Sequence, residues 1–131
     1  MRLDEVPAAV GTQLGTTGWV DLTPAQVADY TAATGDPGDG TVPPLLLLAL
    51  TNLFMPELFA VDDASMGVNY GTGEVRFPLP APVGTRLRAG ARLVGVDEIR
   101  GGLQTTIHVA VEAEGVGDPV CTVDSISRWL A

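Results

Sequence analysis

Apolar and polar residues alternate with a period of two through most of the second half of the chain and almost nowhere in the first. Over residues 85–96, Leu87, Ala89, Ala91 and Leu93 share one face, while Arg86, Arg88 and Arg92 share the other. Over residues 103–114, Leu103, Thr105, Ile107, Val109 and Val111 fall inward, and Gln104, Thr106, His108, Glu112 and Glu114 outward. The pattern predicts two long strands of a sheet with one buried face. Shorter runs at 66–70 and 75–78, and a last one over 119–129, predict three more strands, with an early strand near 19–22.

Helical signals precede this region. Thr23-Pro24-Ala25-Gln26 places a capping hydroxyl, a proline at the first helical position and an amide at the third, which predicts a capped helix over 24–33. Residues 34–40, Thr-Gly-Asp-Pro-Gly-Asp-Gly, are turn formers and predict a loop whose carboxylates face solvent or a cleft. Pro43-Pro44 then opens a second helix with leucine at 45 to 48, 50 and 53 and with Pro56 at its far end. This helix is apolar on nearly every side, so it is expected to be enclosed by protein. A long antiparallel sheet preceded by one almost wholly apolar helix predicts an α+β fold in which the sheet curls round the helix, the hot-dog architecture. A single such layer leaves open edges and one polar face, so dimerisation is expected.

Composition narrows the function classes. At 131 residues, with 46% hydrophobic and 18% charged, residues 1–131 are expected to form a single domain with a real core. The formal charge is −9, with seven arginines and no lysine, a field that repels phosphate backbones and anionic lipid; neither nucleic acid nor a membrane is expected as a partner. The most apolar segment, 45–55, is interrupted by Thr51 and Asn52 and falls well short of the roughly 20 residues of a membrane span. No secretory signal is visible, and Cys121 is the lone cysteine, so a reducing, cytoplasmic location is expected, with Cys121 a small buried hydrophobe. One histidine and one cysteine far apart make no metal site, and Gly71-Thr72-Gly73 lacks the spacing of a phosphate loop; no cofactor is expected.

The stretch Asp29-Tyr30-Thr31-Ala32-Ala33-Thr34-Gly35-Asp36 resembles the loop entry of MaoC-like dehydratases and (R)-specific enoyl-CoA hydratases, especially the branch containing nodulation protein N. Met55-Pro56-Glu57-Leu58, Met66-Gly67-Val68-Asn69-Tyr70-Gly71, Val75-Arg76-Phe77-Pro78 and Pro82-Val83-Gly84-Thr85-Arg86-Leu87-Arg88 resemble that branch in order and spacing. The resemblance implies a hot-dog fold and an acyl-CoA or acyl-carrier-protein-linked substrate. Members of the family carry an aspartate at the position of Asp36 and a histidine five residues later, and the pair positions water for addition across an unsaturated thioester. Here the fifth residue is Thr41, and the segment before the central helix is shortened, lacking the stretch that carries the histidine. The family also polarises the thioester carbonyl with a backbone N–H at a His-Gly-like helix start, where this chain has Pro43-Pro44-Leu45.

Prolines cannot donate, so the amides of Leu45 and Leu46 are the candidate oxyanion donors. Such donors are worth about 3 kcal/mol to a developing oxyanion. Asp36 is the candidate acid or base, or else a turn residue capping the loop; Asp39 is the candidate substitute for the histidine, or else a solvated turn residue. Tyr30, Asn69, Tyr70, Gly71 and Arg76 are candidate substrate contacts, with Asn69 and Tyr70 offering an amide and a phenol at a strand end. Arg76, Arg86 and Arg88 suit a phosphate or an acidic carrier, or form a solvated surface. His108 is the first general base to consider, but its place in the alternation puts it on the outward polar face.

Two functions follow. One is a lyase-like enzyme on an acyl thioester or acyl-derived biosynthetic intermediate, acting as dehydratase or hydratase or turned to isomerisation, cyclisation or conjugate addition. The other is a non-catalytic subunit that shapes an acyl tunnel beside a hot-dog partner carrying the complete Asp-His pair. The expected assembly is a homodimer in the first case and a heterodimer in the second.

Overall fold

Alternation over the second half produces the predicted sheet, and the computed structural model describes all residues from Met1 to Ala131. After a 3-10 turn at Val6–Ala9 come β1 (Gln13–Thr16), β2 (Val20–Asp21), α1 (Pro24–Thr34), α2 (Pro44–Ala49) and α3 (Thr51–Leu58). Four long strands follow: β3 (Met66–Arg76), β4 (Arg86–Ile99), β5 (Gly102–Ala113) and β6 (Cys121–Leu130). They form one antiparallel sheet in the order β1-β4-β5-β6-β3, with β2 pairing β4 beside β1. The inner face carries the residues the alternation assigns to it: Leu87, Leu93, Ile107, Val109 and Val111 are fully buried. Leu47 of α2 and Phe54 and Leu58 of α3 belong to the same buried core, with α3 against β4 and α2 against β6.

Four expectations need correction. The runs at 66–70 and 75–78 are one strand, β3, whose pairing with β6 shifts register between Asn69 and Gly71 and again between Thr72 and Val75. These irregularities break the local alternation without ending the strand. The leucine-rich helix is broken at Leu50, and Pro56 lies inside α3, which runs on to Leu58. Nor is that helix enclosed: Leu45 is 58% and Leu53 is 53% exposed. The sheet therefore covers one side of α2–α3 and leaves an apolar side open. Finally, β1 and the 3-10 turn carry no sequence signal of their own; β1 is extended because it pairs with β4.

The outer face is a polar lattice. Arg86 pairs with Glu114 and Arg88 with Glu112, the latter at 2.8 Å, and both guanidinium groups lie near the Trp19 ring. No unsatisfied buried side-chain polar atom is present. Thr105, fully buried, accepts from Trp129 Nε1 at 3.0 Å. Close packing of β5 on β6 fixes Gly102, where a Cβ would stand 1.9 Å from the Trp129 carbonyl oxygen. Gly102→Ala must push two paired strands apart, so it is expected to destabilise the fold by about 3 kcal/mol, read from the denaturant midpoint. Cys121 is fully buried as expected, and burial pushes its thiol up to about 11. It should stay unreactive toward a disulfide reagent at pH 8 in the native protein and react fully on denaturation.

Candidate functional site

The loop after α1 is built by local chemistry. Thr23 Oγ1 accepts from the Gln26 amide at 3.2 Å and Gln26 Oε1 accepts from the Thr23 amide at 3.0 Å, the reciprocal cap the sequence predicts. The helix ends on Gly35, whose φ of 73° is the left-handed conformation that glycine takes without strain. Its amide donates to the Thr31 carbonyl at 2.9 Å. That reversal folds Asp36 back on the helix, where the Tyr30 hydroxyl stands 3.4 Å from Asp36 Oδ2. Thr34 braces the pair, donating to the Tyr30 carbonyl at 2.8 Å and accepting from the Asp36 amide at 3.2 Å. Tyr30 and Asp36 are both half-buried, and no cation pairs with Asp36. Burial, and then the charge of Asp36, raise the Tyr30 phenol above the ordinary tyrosine range.

Asp39 has a different setting. Its Oδ1 accepts from the Thr41 hydroxyl at 2.6 Å and from the Thr41 amide at 3.0 Å, and these donors hold the carboxyl below its ordinary range. The residue that stands where the resemblance implies a histidine thus closes a turn with Asp39. A carboxylate held ionised by two donors is a poor proton carrier near neutral pH. Asp39 and Thr41 edge a groove of about 250 Å³ whose apolar walls include Leu47, Phe77 and Leu79.

At the start of α2 one of the two expected oxyanion donors is already used. The Leu46 amide donates to the Pro43 carbonyl at 3.0 Å, which leaves the Leu45 amide free. The tight turn made by Pro43 consumes the second donor.

Asn69, Tyr70 and Gly71 gather at a separate place. Asn69 Nδ2 donates to Asn52 Oδ1 at 2.8 Å, tying β3 to α3. On one side of this amide pair lies a cleft of about 250 Å³ that includes Leu48, Thr51, Tyr70, Gly71 and Ser125. On the other lies a cleft of about 330 Å³ that includes Met55, Phe59, Gly67, Ser127 and Trp129. Asn52 was not among the candidates, although it is one of the two polar interruptions of the apolar run 45–55, a signal the sequence does carry. Tyr70 lies under the Arg128 guanidinium at 3.6 Å, and Arg76 is paired with Glu74. Tyr30 and Asp36 line neither cleft, so within one chain the loop group and the Asn52–Asn69 group stand apart.

His108 sits where the alternation puts it, on the face turned away from α2 and α3. Its Nδ1 lies 2.9 Å from Asp124 Oδ1, so the carboxylate orients the ring on the outer surface. No group of three or more His, Cys, Asp or Glu side chains is placed to hold a metal ion. No helix is long and apolar enough to cross a membrane.

No protein-family model matches the chain. Individual relatives do. It is 34% identical to the 3-hydroxyacyl-thioester dehydratase Z of Mycobacterium tuberculosis, over 97% of this chain and 95% of that one. It is 28% identical to nodulation protein N of Rhizobium leguminosarum, over 97% of this chain and 90% of the other. Among solved structures, the MaoC-like dehydratase from Rhodospirillum rubrum superimposes with a TM-score of 0.73 at 12% identity, covering 99% of this chain and 97% of that one. The (R)-hydratase from A. caviae gives 0.71 at 18%, covering 90% and 94%. The ChsH1-ChsH2 complex of Mycobacterium tuberculosis gives 0.68 at 14%, covering 93% of this chain and 98% of the matched chain. The structures share the fold, and the sequence relatives span nearly the whole chain: it belongs to the MaoC-like dehydratase family, with 3-hydroxyacyl-thioester dehydratase Z and nodulation protein N among its relatives.

Proposed function

We propose that residues 1–131 work as one hot-dog domain on a cytoplasmic acyl thioester, removing or adding water across the Cα–Cβ bond, with Asp36 as the base. The observation that carries this reading is Asp36 itself: a half-buried carboxylate with no cation beside it, on a chain that matches a named 3-hydroxyacyl-thioester dehydratase almost end to end. A carboxylate that is neither paired with a cation nor tied into a turn has lone pairs free to meet a substrate proton. Asp39 fails that criterion because Thr41 occupies it.

The chemistry needs a proton removed at Cα and negative charge held on the thioester oxygen. The free Leu45 amide offers one donor for that oxygen, and the Asn52–Asn69 pair offers amide groups at the mouths of two clefts. A saturated acyl chain is suited to the 330 Å³ cleft, walled by Met55, Phe59 and Trp129. Because the loop and these clefts are apart within one chain, a second copy is proposed to bring them together. Exposed Leu45 and Leu53 on the helices and exposed Met66 and Tyr70 on the unpaired edge of β3 form its apolar contact surface. No metal or organic cofactor enters this reaction class.

The test is a mass-spectrometric assay of the purified chain against enoyl and 3-hydroxyacyl thioesters on both CoA and carrier-protein carriers, beside Asp36→Asn and Asp39→Asn. Turnover that survives Asp39→Asn and is lost with Asp36→Asn supports the reading; turnover of none of them overturns it.

A second reading rests on Thr41. With the histidine replaced by a turn-closing hydroxyl, the chain also fits a non-catalytic subunit whose partner supplies the Asp-His pair, an arrangement for which a two-protein complex of this fold offers a precedent. Native mass spectrometry separates the two: a homodimer favours the enzyme, and a monomer that dimerises only with a foreign hot-dog chain favours the subunit.

A further inference from the structure

The proposed reaction moves two protons, and Asp36 accounts for one. Removing the α-proton needs a base; expelling hydroxide from Cβ needs an acid, because water is a far better leaving group than hydroxide. Only one titratable side chain touches Asp36. It is Tyr30, whose hydroxyl stands 3.4 Å from Asp36 Oδ2. Asp39 faces Thr41, and His108 is oriented by Asp124 on the outer sheet face. Thr41 has no proton to give near neutral pH, and its hydroxyl is committed to Asp39.

We infer that Tyr30 is the general acid of the site, delivering its phenolic proton to the departing hydroxyl while Asp36 takes the proton from Cα. The inference rests on the reading of Asp36 given above and adds a second catalytic residue to it. In the elimination the Cα–H bond breaks, its electron pair forms the Cα=Cβ bond, and the Cβ–O bond breaks onto oxygen. That oxygen takes the Tyr30 proton and leaves as water. The pair is then a carboxylic acid beside a phenolate. A phenolate is the stronger base by about six pKa units in ordinary surroundings, so the proton passes from Asp36 to Tyr30 and restores both groups. Hydration is the same path reversed.

Two further features suit Tyr30 to the role. Thr34 ties the Tyr30 carbonyl and the Asp36 amide to one hydroxyl, which holds the pair in register across the end of the helix. The contact itself is long for a hydrogen bond between oxygens, which leaves room for each group to turn toward substrate atoms. A phenol paired with a carboxylate performs both transfers without a histidine.

The test separates the acid from the base by changing the leaving group. Chloride departs without a proton, so a 3-chloroacyl thioester needs the base alone. Tyr30→Phe is expected to lower water elimination from the matching 3-hydroxyacyl thioester by at least about a hundredfold while holding chloride elimination within about threefold of wild type. Asp36→Asn is expected to lower both. If Tyr30→Phe lowers both equally, Tyr30 acts only by placing Asp36, and the assignment falls; if it lowers neither, the phenol has no part in the reaction, and it falls too. A wild-type chain that expels chloride but not water overturns the Tyr30 assignment and the water-exchange reading together, and leaves Asp36 only as a base for the α-proton. One that expels neither overturns the reading of Asp36 as well.

Discussion

Asp36→Asn is expected to lower turnover of a 3-hydroxyacyl or enoyl thioester by about two to four orders of magnitude, with little change in stability. The magnitude is that of a positioned general base. The small structural cost follows from the local geometry: Asp36 makes no salt bridge, its amide bond to Thr34 belongs to the backbone, and an asparagine accepts from the Tyr30 hydroxyl as the carboxylate does. The measurement is kcat/KM beside a thermal melt. Asp39→Asn is the control. It weakens a turn closed by Thr41 and is expected to leave kcat/KM within about threefold.

The largest effect on stability is expected from Phe54→Ala. Phe54 is 2% exposed and sits in the core shared by α3 and the sheet. Truncating a buried phenylalanine costs about 3–5 kcal/mol, part lost transfer free energy and part the cavity left behind. Against a typical total of about 5–15 kcal/mol this is a third or more of what holds a domain folded. Urea unfolding should show the midpoint falling with an unchanged slope. Leu53, its neighbour in sequence, is 53% exposed, so Leu53→Ala removes little from the core of one chain. Its effect is expected in assembly, as weaker self-association with rising dilution.

Much of the fold was legible because its signals are local. Leu87 to Leu93 and Leu103 to Val111 alternate cleanly, and burial follows that alternation residue by residue. The Thr23–Gln26 box specifies its helix start within four residues. Hidden features were those decided by distant partners. Gln13–Thr16 is a strand only because β4 lies beside it, and β3 is continuous only because β6 supports it across two register shifts. The open side of the leucine-rich helix was hidden for another reason. Leucine recurs all round it, and composition cannot say which side the sheet fails to cover.

The site divides in the same way. Asp36 and its loop were visible as a motif, and the free Leu45 amide as a consequence of two prolines. The loss of the Leu46 amide to Pro43 depends on the tightness of one turn, and the Asn52–Asn69 bond joins residues 17 apart across α3 and β3. The Tyr30–Asp36 contact lies between these cases: its residues are six apart, but only the left-handed Gly35 brings them together.

This chain, alone, is proposed to exchange the elements of water with an acyl thioester at Asp36. The most direct test is hydration of an enoyl thioester by the purified chain in heavy water, with the product analysed for deuterium at Cα. A 3-hydroxyacyl product carrying one deuterium at Cα is expected from wild type and not from Asp36→Asn. No conversion by the chain alone, with conversion restored by a partner that carries an Asp-His pair, would contradict it and make this chain the subunit that shapes the tunnel.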